Sequence, residues 1–197
     1  MNPGAAVDCE RILASWWGQP VNTATCAAFL VGAAVIWWKD TDRVMAALVA
    51  MIGIGSIAFH GPMPFWGEFV HDLAIVWALV WVILVDLRLR RWWLLAFPLS
   101  GLLALTPAIA DPGQALLAAT VLFIQLRSKD HATQRRIGIG LLAVGALIGT
   151  LSRTGWPLCN PDSFWQGHGF WHICSAAALT LWAGWIRQVE PAGQQNV

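Results

Sequence analysis

Apolar residues along this chain gather into runs too long for the strands or core helices of a water-soluble domain, and short segments holding most of the charge separate them. Seven runs can be drawn, at 21–38, 44–60, 69–87, 92–110, 113–127, 137–151 and 167–187, against the ~20 residues that a helix needs to cross the hydrocarbon of a bilayer. Each predicts a spanning helix, although the fifth and sixth are short for the task. The expected fold is therefore all-α: a polytopic membrane protein built as a seven-transmembrane helix bundle. The loops are too short for a second module, so residues 1–190 are expected to form one membrane domain, followed by a polar tail at 191–197.

Charge orients the bundle. Ten of the twelve lysines and arginines fall after odd-numbered runs: Lys39 and Arg43, then Arg88, Arg90 and Arg91, then Arg127, Lys129, Arg135 and Arg136, and last Arg187. Only Arg11 and Arg153 remain for the other face. Cytoplasmic loops collect positive charge, so the N-terminus is expected outside and the C-terminus inside, with both short runs spanning.

Composition agrees, since 57% of the residues are hydrophobic and only 12% charged, too oily a balance for a soluble globule of this length. Many of the fourteen tryptophans, such as Trp16, Trp17, Trp37, Trp38, Trp92 and Trp93, stand at run ends, where an indole prefers the headgroup region. A stacking role for Trp66, Trp165 or Trp171 is the less favoured reading. No basic segment leads into an apolar stretch at the start, so no cleavable signal peptide is expected. Neither a basic, aromatic-interleaved patch nor a phosphate-binding glycine loop occurs, so nucleic acid is not an expected partner. Cys26 and Cys174 fall inside apolar runs and read as small buried hydrophobes. Cys9 and Cys159 both fall on the outer side, where an oxidising compartment would join them in a disulfide.

Polar residues within the runs carry the chemistry. "GIGSIAFH" ends run two, "EFVHDLAIVW" opens run three and "GHGFWHICSA" opens run seven. Ser56 and His60 are spaced i, i+4, as are His168 and His172, so each pair shares one helix face. With the orientation set by charge, Ser56, His60, Asp72, His168 and His172 all lie in the outer leaflet. Ionisable groups in membrane helices face the bundle interior and need partners there. Three imidazoles with one open position suit catalytic zinc, so His60, His168 and His172 are the expected ligands. Asp72 is then the expected general base toward a water whose pKa zinc lowers to about 7, and Ser56 a donor to the oxyanion of a carbonyl under attack. His71 points about 100° away from Asp72 on a helix and reads as interfacial. His131 belongs to a basic inner loop.

At these residues the chain resembles the alkaline ceramidase family, within the seven-helix membrane hydrolases that also include the adiponectin and progestin receptors. "DCE", "QPVNT", "GIGSIAFH", the aspartate of "HDLA", a cysteine before run seven and "GHGFWHICSA" occur in the order of that family. The resemblance implies zinc on His60, His168 and His172, Ser56 and Asp72 in the roles above, and a ceramide-like lipid amide cleaved to a fatty acid and a sphingoid base. It also implies a calcium site in the N-terminal segment. Asp8 and Glu10 are its remaining carboxylates, whereas Ile12 and Gln19 stand where further oxygen ligands are expected, and calcium favours several of these. The expected setting is a bacterial inner membrane with the site toward the periplasm, or the endoplasmic reticulum or Golgi of a eukaryote. Alternatives are hydrolysis of another lipid amide or ester, a receptor-like protein with structural zinc, and, least favoured, an ion transporter. Nothing in the sequence bears on oligomeric state.

Overall fold

Pro20, with its φ preset for a helix and no N–H to leave unpaired, opens α1 (Pro20–Thr25). One residue later the helix tightens, because Thr25 Oγ1 turns back to the carbonyls of Val21 and Asn22 and the Cys26 thiol donates to Asn22 O at 3.0 Å. Such back-bonding bends helices, and α2 (Ala27–Trp38) continues beyond the bend. α3 (Arg43–His60) is capped by Asp42, which accepts from the Met45 N–H at 2.9 Å and from Trp81 Nε1 at 2.8 Å. Then come α4 (Gly67–Asp86), α5 (Trp93–Gly101), α6 (Pro107–Arg127), α7 (Ala132–Leu151) and α8 (Gly167–Val189). This computed structural model describes residues 4–105, 107–128 and 132–189, among which no strand occurs. Lys129, His131 and the polar tail 191–197 lie outside the described residues.

Five stretches are long and apolar enough to cross a membrane: Pro20–Trp38, Arg43–His60, Gly67–Asp86, Ile109–Arg127 and Thr133–Leu151. α8 has 23 residues. The fourth and fifth runs are divided differently from the expectation. α5 has nine residues, about 14 Å of helix. Pro98 lacks the N–H for its i−4 bond, and from Leu102 to Leu105 each N–H bonds three residues back. The helix restarts at Pro107, so Asp111-Pro112, which reads as a loop in the sequence, lies inside α6. Pro112 costs α6 one i−4 bond and does not end it.

α3 is the central strut: 61% of its span is buried, against 11% and 17% for the spans within α6 and α7. It packs between α2 and α4, around Phe29, Ile36, Met45, Val49, Val76 and Trp81. α8 lies against α1 and α2 on one side and α7 on the other, while α6 leans on α4 and meets α7 only sparsely. Small residues permit the closest approaches. A Cβ on Gly55 of α3 would stand 3.0 Å from the His71 backbone of α4, and one on Gly145 of α7 would stand 2.8 Å from Cys174 Cβ of α8. At the basic ends of the helices, Arg135 of α7 donates to Gln125 of α6 at 2.5 Å, and Gln125 donates to Asp86 of α4.

At the opposite end the N-terminal segment is strapped to the α7–α8 loop. Cys9 and Cys159 stand at disulfide distance, S–S 2.14 Å and Cα–Cα 5.6 Å. Thr154 donates from its N–H to Val7 O at 2.9 Å and from its hydroxyl to Ala6 O at 2.7 Å. Arg11 pairs with Asp162 at 2.7 Å. Cys26 and Cys174 are buried and unbridged. Trp165 is 84% exposed, while Trp171 packs over Gly145 and Gly149.

Candidate metal centre

His60 is the last residue of α3, and His168 and His172 occupy the first two turns of α8. Contacts among α1, α3 and α8 bring the three rings together, although more than a hundred residues separate His60 from the other two. Ring centroids lie 4.9 Å apart for His60 and His168, 5.1 Å for His60 and His172, and 4.5 Å for His168 and His172. One nitrogen from each ring falls within 4.8 Å of the others.

The outward nitrogens fix what the inward ones can do. His60 Nδ1 lies 2.7 Å from Gln19 Oε1. Gln19 Nε2 already donates to Ala5 O and Glu10 O, so Oε1 is the acceptor and His60 Nδ1 carries the proton. His168 Nδ1 lies 3.2 Å from the Asp8 carboxylate. His172 Nδ1 lies 3.1 Å from Thr25 Oγ1, whose single proton is directed to main-chain carbonyls of its own helix. Gln19 and Thr25 thereby hold His60 and His172 as the Nδ1–H tautomer with the lone pair on Nε2, and Asp8 in its ionised form holds His168 in the same way. All three Nε2 atoms are buried and have no protein partner. Three converging lone pairs, each backed by an outer hydrogen bond, are the donor set of a metal site with three imidazole ligands. The triad can hold a metal ion. Among the described residues it is the group of His, Cys, Asp or Glu side chains that converges in this way.

Asp8 and Glu10 do not converge on a second cation. Asp8 faces His168, and burial pushes its carboxyl up to about 7 against the pull of His71 and Arg153. A divalent cation behind His168 would favour its ionised form. Glu10 uses both oxygens on the start of α1, accepting from Val21 N–H at 2.7 Å and Asn22 N–H at 2.8 Å. Burial raises its pKa and these two bonds oppose the rise. Among the described residues no third carboxylate joins them, which leaves fewer charged oxygens than calcium favours.

Ser56 is buried one helical turn before His60 and borders Cys26. Asp72 is buried in the second turn of α4, and one of its oxygens pairs with His71 Nδ1 at 3.0 Å. His71 packs against protein and is partly buried. Its ring is stacked on Phe59 at 4.9 Å and 23° and lies 6.3 Å from the His60 ring. Although the two side chains leave the helix about 100° apart, the ring reaches back to Asp72 and rests on α3, where Gly55 lets the two backbones meet. Gln19, Thr25 and the Asp8–His168 pairing escape sequence reading because each acts on a histidine distant in the chain. "GIGS" carries the one local signal, a small face against which α4 could press His71.

No protein-family model matches this chain, and no curated protein does. The functional reading therefore stands on the site itself and on the residue pattern.

Proposed function

We propose that this chain is a zinc-dependent hydrolase of the membrane, cleaving the N-acyl bond of a lipid amide such as ceramide to a fatty acid and an amine. The observation that carries the reading is the buried triad with three unpartnered Nε2 atoms. A structural zinc site is ordinarily closed by four protein ligands, whereas three imidazoles leave a position for substrate and water. When bound, zinc supplies Lewis acidity and a water acidic enough to act as a nucleophile near neutral pH.

In this reading Asp72 takes the proton of the attacking water and delivers it to the departing nitrogen. The Ser56 hydroxyl donates to the oxygen that gains charge as the carbonyl becomes tetrahedral. The resemblance to alkaline ceramidases supports an amide as the bond cleaved. The sparse contact of α6 with α7, both mostly exposed along their spans, supports entry of an acyl chain sideways from the bilayer. Helical winding from Arg90 to Leu105 reaches ~28 Å when α5 and its flanking 3-10 turns are added. That length supports a fourth crossing, hence seven in all, with the N-terminus outside and the triad near the periplasmic face of a bacterial inner membrane.

The test is mass spectrometry of membrane lipids incubated with wild type and with Asp72→Asn. Wild type should release fatty acid and a long-chain amine, and the variant should lose ~100-fold or more of that turnover while keeping its metal. Identical lipid profiles with and without wild type would remove the enzyme reading.

A further inference from the structure

Gln19 is fully buried where the N-terminal segment, the start of α1 and the end of α3 meet. Its Nε2 donates to Ala5 O at 2.8 Å and Glu10 O at 2.9 Å. Its Oε1 accepts from His60 Nδ1 at 2.7 Å and from Asn22 Nδ2 at 3.4 Å, and its main-chain N–H donates to the His60 carbonyl at 2.8 Å. Carbonyl oxygens offer only lone pairs. The group facing those of Ala5 and Glu10 must therefore be a cation or a hydrogen-bond donor, and here the carboxamide supplies the donor. Its other end must accept, because His60 needs its proton on Nδ1 to present Nε2 inward.

We infer that Gln19 is a positioning residue of the metal centre, whose carboxamide locks the His60 tautomer with one end and ties the N-terminal segment to that ligand with the other, so that the centre assembles without a second cation. The inference rests on the metal reading of the triad. The same segment carries Asp8, the partner of His168, one residue before Cys9. One amide thus keeps two of the three ligands in register. The two ends separate by substitution: an ionised Gln19→Glu keeps an acceptor toward Nδ1 and loses both donor bonds, whereas Gln19→Leu loses every side-chain bond and keeps only the main-chain one.

The experiment uses the full chain in detergent, stripped of metal and reloaded with cobalt, whose visible spectrum reports the ligand set. Affinity is read by competition with a chelator, in calcium and in a calcium-free buffer. Wild type should bind cobalt with the same Kd in both. Gln19→Leu should bind ~10–100-fold more weakly with an altered spectrum. Gln19→Glu should keep the wild-type spectrum, while its Cys9–Cys159 bond is reduced faster because the segment is untied. A wild-type Kd and spectrum in Gln19→Leu would overturn the inference, as would a wild-type affinity that depends on calcium. Should Gln19→Leu fail to fold, Gln19→Glu decides alone, and a disulfide reduced at the wild-type rate overturns the tie. A wild-type chain that takes up no cobalt defeats the metal reading itself, which is a separate and recognisable result.

Discussion

Gly18 sets how closely the N-terminal segment can approach the end of α3. Its φ is +45°, and a Cβ there would stand 2.4 Å from the carbonyl oxygens of both His60 and Gly61. The His60 carbonyl is also the acceptor for the Gln19 N–H, so the clash would fall on the link between a ligand and its orienting amide. Gly18→Ala should therefore destabilise the chain by about 1–3 kcal/mol, read as a lower melting temperature in detergent, and should weaken metal binding as well. Unchanged melting and metal content would mean that the approach is looser than these distances imply. The same scale accounts for the histidines: each ring is committed by its Nδ1 partner, and none of those partners is another ligand.

Among the elements, the strap joining residues 4–19 to the α7–α8 loop has most bearing on the centre. It brings Asp8 to His168 and Gln19 to His60, and it is closed by Cys9 and Cys159, which are 150 residues apart. Cys159→Ser should lower stability by about 2–5 kcal/mol and speed the release of metal to a chelator. A variant that melts earlier yet releases metal at the wild-type rate would show the strap to be structural only. The bend between α1 and α2 acts similarly over a shorter distance, since the Thr25 hydroxyl that tightens the helix is also the one that meets His172.

For the whole molecule, the triad, the disulfide and the strap all stand at one end of the bundle, and the Asp86–Gln125–Arg135 network at the other. In the proposed topology the triad end, where lysine and arginine are scarce, faces outside. A membrane-impermeant thiol reagent should accordingly label Arg153→Cys, but not Arg91→Cys, in intact cells carrying the chain without its native unpaired cysteines. The reverse pattern would invert the proposed topology and place the disulfide in a reducing compartment.

Long apolar runs and spaced histidines are local properties, because helix length depends on composition and i, i+4 neighbours share a face whatever surrounds them. The helical character, the membrane-compatible spans and the pairing of His168 with His172 were accordingly readable from the residues in order. The break at 102–105 was not, since the apolar run continues through it and the interruption in the residue order falls instead at Asp111-Pro112, which lies inside α6, as Pro98 lies inside α5. The site divides in the same way. Sequence could nominate His60 as a third ligand, but the tautomer of every ring is decided by Asp8, Gln19 and Thr25, whose hydrogen bonds exist only once α1, α3 and α8 meet. Residue order alone determined which side chains could bind a cation; the tertiary structure decided which nitrogen of each faces inward, because hydrogen bonding depends on distance in space and not along the chain.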